Sequence, residues 1–267
     1  MMGKAEASHY VAKVPDENGY IDYTEEENAV WHDLIVRQRK VLEGRACQEV
    51  FDGLDRLGLQ EDHVPQAKEV SKALHEATGW QVEPVPALID FDTFFQLLAD
   101  KRFPAASFIR SREEMDYLRE PDIFHEIFGH CPLLMYQAFA DFTEAYGRAG
   151  LAASKQDRVL LARLYWFTVE FGLIRRPEGI QIYGGGITSS YGETQYAVDS
   201  DTPERVPFDP IELLRTPYRL DIFQPIYYVI DSADQLYELA NADLIGMLQK
   251  ARALGEHAPK FPVKEAG

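Results

Sequence analysis

Two histidines five residues apart, in Pro121-Asp122-Ile123-Phe124-His125-Glu126-Ile127-Phe128-Gly129-His130, set the hardest local constraint on this chain. A regular α-helix turns about 100° per residue, so a five-residue step leaves two side chains roughly 140° apart. His125 and His130 therefore cannot grip one ion from an unbroken α-helix. Gly129 and Pro132 offer a remedy: a helix starting after Pro121 is expected to end near Gly129 and free His130 to swing back. A zincin needs His-Glu-x-x-His, with the glutamate as general base. Here one more residue intervenes, so a zinc hydrolase with Glu126 as base stands only as a rival reading.

Forty residues beyond His130, Phe167-Thr168-Val169-Glu170-Phe171 carries a lone acid inside an apolar run. Burying that acid is costly unless it is paired or bound to a cation. Two imidazoles and one carboxylate are the ligand set of a non-haem iron(II) centre, which covers one face of the metal and leaves the other open. Taken singly, each residue is better served by an ordinary role: a salt bridge for Glu170, a satisfied core imidazole for each histidine. Taken together, with Glu126 beside them, they point to a metal. A third, non-enzymatic reading makes the chain an acidic helical binding module in which these residues are structural.

Composition narrows the choice. At 267 residues the chain can bury a sizeable core, and 46% hydrophobic with 27% charged residues is ordinary for a soluble protein. A formal charge of −17 argues against nucleic acid or an anionic membrane as partner. The longest apolar runs, such as Val159 to Ala162 and Ile226 to Ile230, fall far short of a membrane span, and the start lacks a signal peptide's apolar stretch. Cys47 and Cys131 are expected to be reduced thiols in a cytoplasm.

Residues 1–23 lack periodicity and read as an arm or tail on the surface, leaving residues 24–267 as one catalytic domain with its site at about 88–230. Thr24 and Glu27 form a capping box, and Val30, Trp31, Leu34, Ile35, Val41 and Leu42 recur at helical spacing up to Gly44. Further helices are predicted from Val50 to Gly58 and from about Pro65 to Gly79, and one capped by Asp92 through Leu98. Ala138 to Arg148, Ser154 to Leu173, Pro210 to Leu214 and Ser232 to Leu254 supply the rest. Trp80 to Ile89 holds two prolines and reads as extended rather than as a central strand. The glycine-dense stretch from Gln181 to Gly192 is expected to be a turn or loop. The fold is thus mainly α, with a few short strands.

The segments Pro121 to His130, Tyr165 to Leu173 and Tyr183 to Glu193 strongly resemble the pterin-dependent aromatic amino acid hydroxylases. Order and spacing agree from about Ile89 to Tyr196, and Phe223-Gln224-Pro225-Ile226-Tyr227-Tyr228 extends the likeness. The resemblance implies a largely helical catalytic domain using Fe(II), a tetrahydrobiopterin-type reductant, O₂ and an aromatic amino acid. It makes His125, His130 and Glu170 the iron ligands. Phe94 is similar to the aromatic that stacks on the pterin, Glu126 to the acid that faces pterin and iron, and Ile89 and Tyr165 line the same side. Arg110 matches the arginine that holds the substrate carboxylate, for which a guanidinium is the natural bidentate partner. Gly186 and Ser189 border the substrate, Ser189 also orienting a ligand histidine, and Trp166 and Phe171 wall the ring pocket. From the residues alone, Phe94 reads as core packing beside Phe95, and Arg110 as a surface ion pair.

Phe91 and Leu118 depart from positions that are serine and threonine in animal members, so contacts there do not carry over. Tryptophan hydroxylases usually place phenylalanine where Trp166 stands, and tyrosine hydroxylases tend to have aspartate where Leu220 stands. An apolar residue suits a ring without a hydroxyl. The expected reaction is therefore L-phenylalanine to L-tyrosine, with hydroxylation of tryptophan or tyrosine the alternative. No regulatory domain and no heptad-bearing C-terminal helix are read, so a minimal, bacterial-type monomer or homodimer is expected.

Overall fold

The computed structural model describes residues 10–86 and 89–262. Residues 10–23 run across the surface, but Ile21 and Tyr23 are buried in the main core and the Tyr23 hydroxyl donates to the Ser107 carbonyl at 3.0 Å. Helix α1 (Glu25–Leu42) starts at the capping box: Thr24 Oγ1 accepts from the Glu27 N–H, and the Glu27 carboxylate accepts from the Thr24 N–H. Helices α2 (Gln48–Leu57) and α3 (Ala67–Thr78) stop at Gly58 and Gly79, both left-handed.

Strand β1 (Gln81–Val85) is followed by α4 (Phe91–Ala99) and β2 (Arg102–Ala106), which pairs with β1 in parallel. Within the stretch read as extended rather than as a central strand, Gln81–Val85 is thus an edge strand, and residues 87–88 lie outside the described residues. A two-stranded sheet has only edges, so Pro84 lacks nothing a ladder would need. The cap of α4 is Asp90 rather than Asp92, its carboxylate accepting from the Thr93 N–H at 2.9 Å.

A π-helical segment (Phe124–His130) runs into α5 (Cys131–Leu134), then α6 (Gln137–Ala152) and α7 (Lys155–Tyr165). Helix α7 ends in a second π-helical turn, Trp166–Glu170. After it come β3 (Leu173–Arg176), β4 (Gly179–Ile182), α8 (Gly185–Thr188) and α9 (Tyr191–Asp199). The glycine-dense stretch is thus not all loop: it holds the end of β4 and the whole of α8. Strand β5 (Glu204–Pro207), α10 (Pro210–Arg215) and β6 (Ile226–Ile230) complete a four-stranded sheet in the order β4-β3-β6-β5. Every residue of β6 is buried, as a central strand requires. The last predicted helix divides into α11 (Asp234–Ala240) and α12 (Leu244–Leu254). Among the described residues no helix is long and apolar enough to cross a membrane.

Candidate metal centre and active site

The helix bearing His125 does not end at Gly129. It widens. A π-helix closes its hydrogen bonds over five residues instead of four, so side chains five apart come onto nearly the same face. Pro132, which has no N–H to donate, lies just past the change back to α-helix. The second π-helical turn does the same service for the acid: the Phe171 N–H reaches the Trp166 carbonyl at 2.8 Å and Glu170 is turned towards the histidines. Gly129 has a purpose other than ending a helix. A Cβ there would lie 2.7 Å from the Gly185 carbonyl oxygen, so α8 presses directly on the π-helix. A Cβ on Gly185 would in turn stand 2.4 Å from His130 Nδ1.

Three donor atoms converge as a result. His130 Nε2 lies 3.1 Å from His125 Nε2 and 3.4 Å from Glu170 Oε2, and His125 Nε2 lies 3.7 Å from the same oxygen. An octahedral ion with bonds of about 2.1 Å sets neighbouring donors about 3 Å apart, so this triangle suits one face of such an ion. Among the described residues these three form a cluster able to hold a metal. Ser189 selects the tautomer of His125. The Ser189 hydroxyl donates to the Gly185 carbonyl at 2.8 Å, so at 2.9 Å from His125 Nδ1 it accepts that ring's N–H and leaves Nε2 as a lone pair.

The electrostatics agree with a cation site. Burial holds the His125 imidazole at about 4, hence neutral. Burial also opposes charge on His130, but Glu170 outweighs it and raises His130, while burial of Glu170 is outweighed by His130 and His125, which keep its carboxyl below the usual range. Each of the two thus favours the charged form of the other, and a bound cation would take the place of the proton on His130. Burial pushes the neighbouring Glu126 up to about 8, with His130 opposing.

Around this centre the other sequence candidates fall into two groups. On one side, the Phe94 ring is half-buried and meets Tyr165 edge-on at 5.6 Å, and Tyr165 lies 6.4 Å from the His130 ring. Ile89, half-buried, precedes the Asp90 cap of α4. Phe91 is 51% exposed. On the other side, Trp166 packs at 4.3 Å on Phe171 and is stacked at 4.5 Å on Tyr218, while Gly186 and Ser189 are buried on α8 and at its end. A Cβ on Gly186 would come within 2.9 Å of Glu170 Oε2.

Two readings are corrected. Arg110 is no surface ion pair: it is 7% exposed, and its Nε and Nη2 donate to Asp122 at 2.9 and 2.8 Å. Its Nη1 makes no hydrogen bond among the described residues. Leu220 is 70% exposed, and the residues of that loop which reach Trp166 are Tyr218, stacked on its ring, and Gln224, which accepts its N–H. Sequence reasoning also missed Asp122, though it lies in the quoted motif. Fully buried, it accepts from the Arg110 backbone and side chain and from the His125 N–H at 3.0 Å, so it ties Arg110 to the π-helix bearing His125 and His130. Burial would raise its carboxyl, but Arg110 wins and holds it below the usual range. An acid three residues before a histidine at a helix start was the available signal.

Residues 4–244 match the family model of the biopterin-dependent aromatic amino acid hydroxylases. The chain belongs to this family. The hydroxylase is 56% identical over 259 residues to the phenylalanine-4-hydroxylase of Pseudomonas aeruginosa, covering 97% of this chain and 98% of that one. Its fold matches the apo structure of the cold-active phenylalanine hydroxylase from Colwellia psychrerythraea 34H, with a TM-score of 0.94, 56% identity, and coverage of 97% and 100%. The Chromobacterium violaceum phenylalanine hydroxylase with bound oxidized Fe(III) gives a TM-score of 0.87 at 44% identity, covering 92% and 89%. The mainly helical architecture with a few short strands is that of these hydroxylases.

Proposed function

We propose that this hydroxylase converts L-phenylalanine to L-tyrosine with O₂ and a tetrahydropterin, at an Fe(II) held by His125, His130 and Glu170. The observation that carries the reading is the triangle of donors, 3.1, 3.4 and 3.7 Å on its edges, in a chain 56% identical to a phenylalanine-4-hydroxylase. Iron and pterin, when bound, supply the redox chemistry that activates oxygen. The chain's own part is to hold, orient and keep dry. Phe94 offers its face to the pterin ring, with Ile89 and Tyr165 on the same side and Glu126 close to the metal. Arg110, braced by Asp122, presents its free Nη1 edge to the substrate carboxylate. Trp166, Phe171 and Tyr218 form an aromatic wall for the ring, bordered by Gly186 and Ser189.

The wall also supports phenylalanine over tyrosine. The Trp166 N–H is already given to Gln224 at 3.0 Å, so it has nothing for a substrate phenol, and burying an unpaired hydroxyl is penalised. The free, buried thiols of Cys47 and Cys131 suit a reducing cytoplasm, where we place the enzyme as a monomer or homodimer. The test is tyrosine formation from phenylalanine with Fe(II) and a tetrahydropterin added singly and together, in air and without oxygen. Product is expected only when all are present. Turnover without pterin or oxygen would overturn the reading, and faster hydroxylation of tryptophan would overturn the substrate.

A further inference from the structure

We infer that Gln224 is a positioning residue for substrate choice: it fixes the in-plane direction of the Trp166 indole that walls the ring pocket. The inference rests on the proposed role of Trp166. Gln224 lies between α10 and β6 and is 1% exposed. Its Nε2 donates to two carbonyls of its own loop, Arg219 and Ile222, each at 2.9 Å. With both amide hydrogens so committed, the side chain has one orientation, and Oε1 faces the Trp166 N–H at 3.0 Å. The Gln224 backbone is anchored as well. Its N–H donates at 3.0 Å to Glu193 of α9, a buried carboxylate that also accepts from the Tyr227 hydroxyl of β6.

Two kinds of contact therefore act on the indole. Tyr218 stacks on it at an interplanar angle of 17° and Phe171 packs on it too, which sets the plane of the ring. Stacking is tolerant of sliding and rotation within that plane. A hydrogen bond is directional, and the bond to Gln224 removes that freedom. Trp166 opens the π-helical turn that ends in Glu170, so the wall and a metal donor are borne on the same short segment. Loss of the acceptor leaves a half-buried N–H that regains a partner only by turning.

The experiment is Gln224→Met, close to isosteric but without an acceptor, made in the wild-type chain and in a Trp166→Phe background. Three readouts are taken: the Trp166 indole N–H resonance (assigned by its loss in Trp166→Phe), KM for phenylalanine and for the tetrahydropterin, and the ratio of tryptophan to phenylalanine hydroxylated. In the wild-type background the resonance is expected to move and lose exchange protection. KM for phenylalanine should rise about five-fold, as for one lost hydrogen bond, with pterin KM unchanged and the tryptophan ratio increased. In the Trp166→Phe background the same change should alter KM by less than about two-fold. Gln224→Asn, which keeps the amide but is one methylene short, is expected to act in the same direction and serves if the methionine variant does not fold. An altered resonance with unchanged phenylalanine KM overturns the inference, as does an equal effect in both backgrounds. Absence of tyrosine formation by the wild-type enzyme would instead refute the proposed function.

Discussion

His130 has the least freedom of the three donors, at 4% exposed, with its ring against the Gly185 backbone. His130→Ala is expected to lose bound iron and all turnover with its secondary structure intact, as read by metal analysis and circular dichroism. Phe94→Ala should raise the pterin KM several-fold, as for a lost aromatic stack of about 1 kcal/mol, and leave iron content unchanged. An unaltered pterin dependence would return Phe94 to core packing. Arg110→Ala has two consequences, because it strands Asp122. A buried carboxylate without its partner costs about 3–5 kcal/mol, so urea denaturation should show that loss alongside weaker phenylalanine use. Residue chemistry was the most legible level of this sequence. Two imidazoles and an acid suggest a metal site by their nature, and their donor atoms do converge, whereas the pairing of Arg110 with Asp122 depends on a fold that brings positions 110 and 122 together.

Helical elements were legible at most of the ends that local chemistry sets, the Asp90 cap of α4 being an exception. The Thr24 capping box and the left-handed Gly58 and Gly79 lie where the sequence puts them. The two π-helical turns were not, because periodicity reasoning assumes a repeat of 3.6 and a wider turn is held by tertiary packing rather than by local preference. The five-residue histidine spacing was the true signal, and it was read as a break. Gly129→Ala tests the packing that holds the wider turn. Were the space beside Gly129 open, alanine within this helical segment would add up to about 1 kcal/mol of helix propensity. With the Gly185 carbonyl 2.7 Å from the new Cβ, the variant should instead lose about 1–3 kcal/mol and bind iron more weakly. A raised Tm with full iron affinity would show that the contact is not a constraint.

At the scale of the molecule, the mainly helical class followed from pattern, but the sheet order did not. Ile226 to Ile230 is apolar throughout, and a short apolar run does not distinguish a buried strand from a buried helical segment. The same limit hid the hold of residues 10–23 on the body, since Ile21 and Tyr23 are buried by partners far along the chain. Removal of residues 1–23 is expected to cost about 3 kcal/mol or more from those two side chains, seen as a lower denaturation midpoint. An unchanged midpoint would make the arm dispensable. The central claim joins this fold to its chemistry, and it is tested most directly by titrating Fe(II) into the metal-stripped protein. Tyrosine formed from phenylalanine, with tetrahydropterin and O₂ in excess, is measured at each addition. Activity should climb in proportion to iron and level off at one ion per chain, while His125→Ala, His130→Ala and Glu170→Ala stay at background. Full activity in the stripped protein, or a wild-type plateau in any of the three variants, would contradict the account.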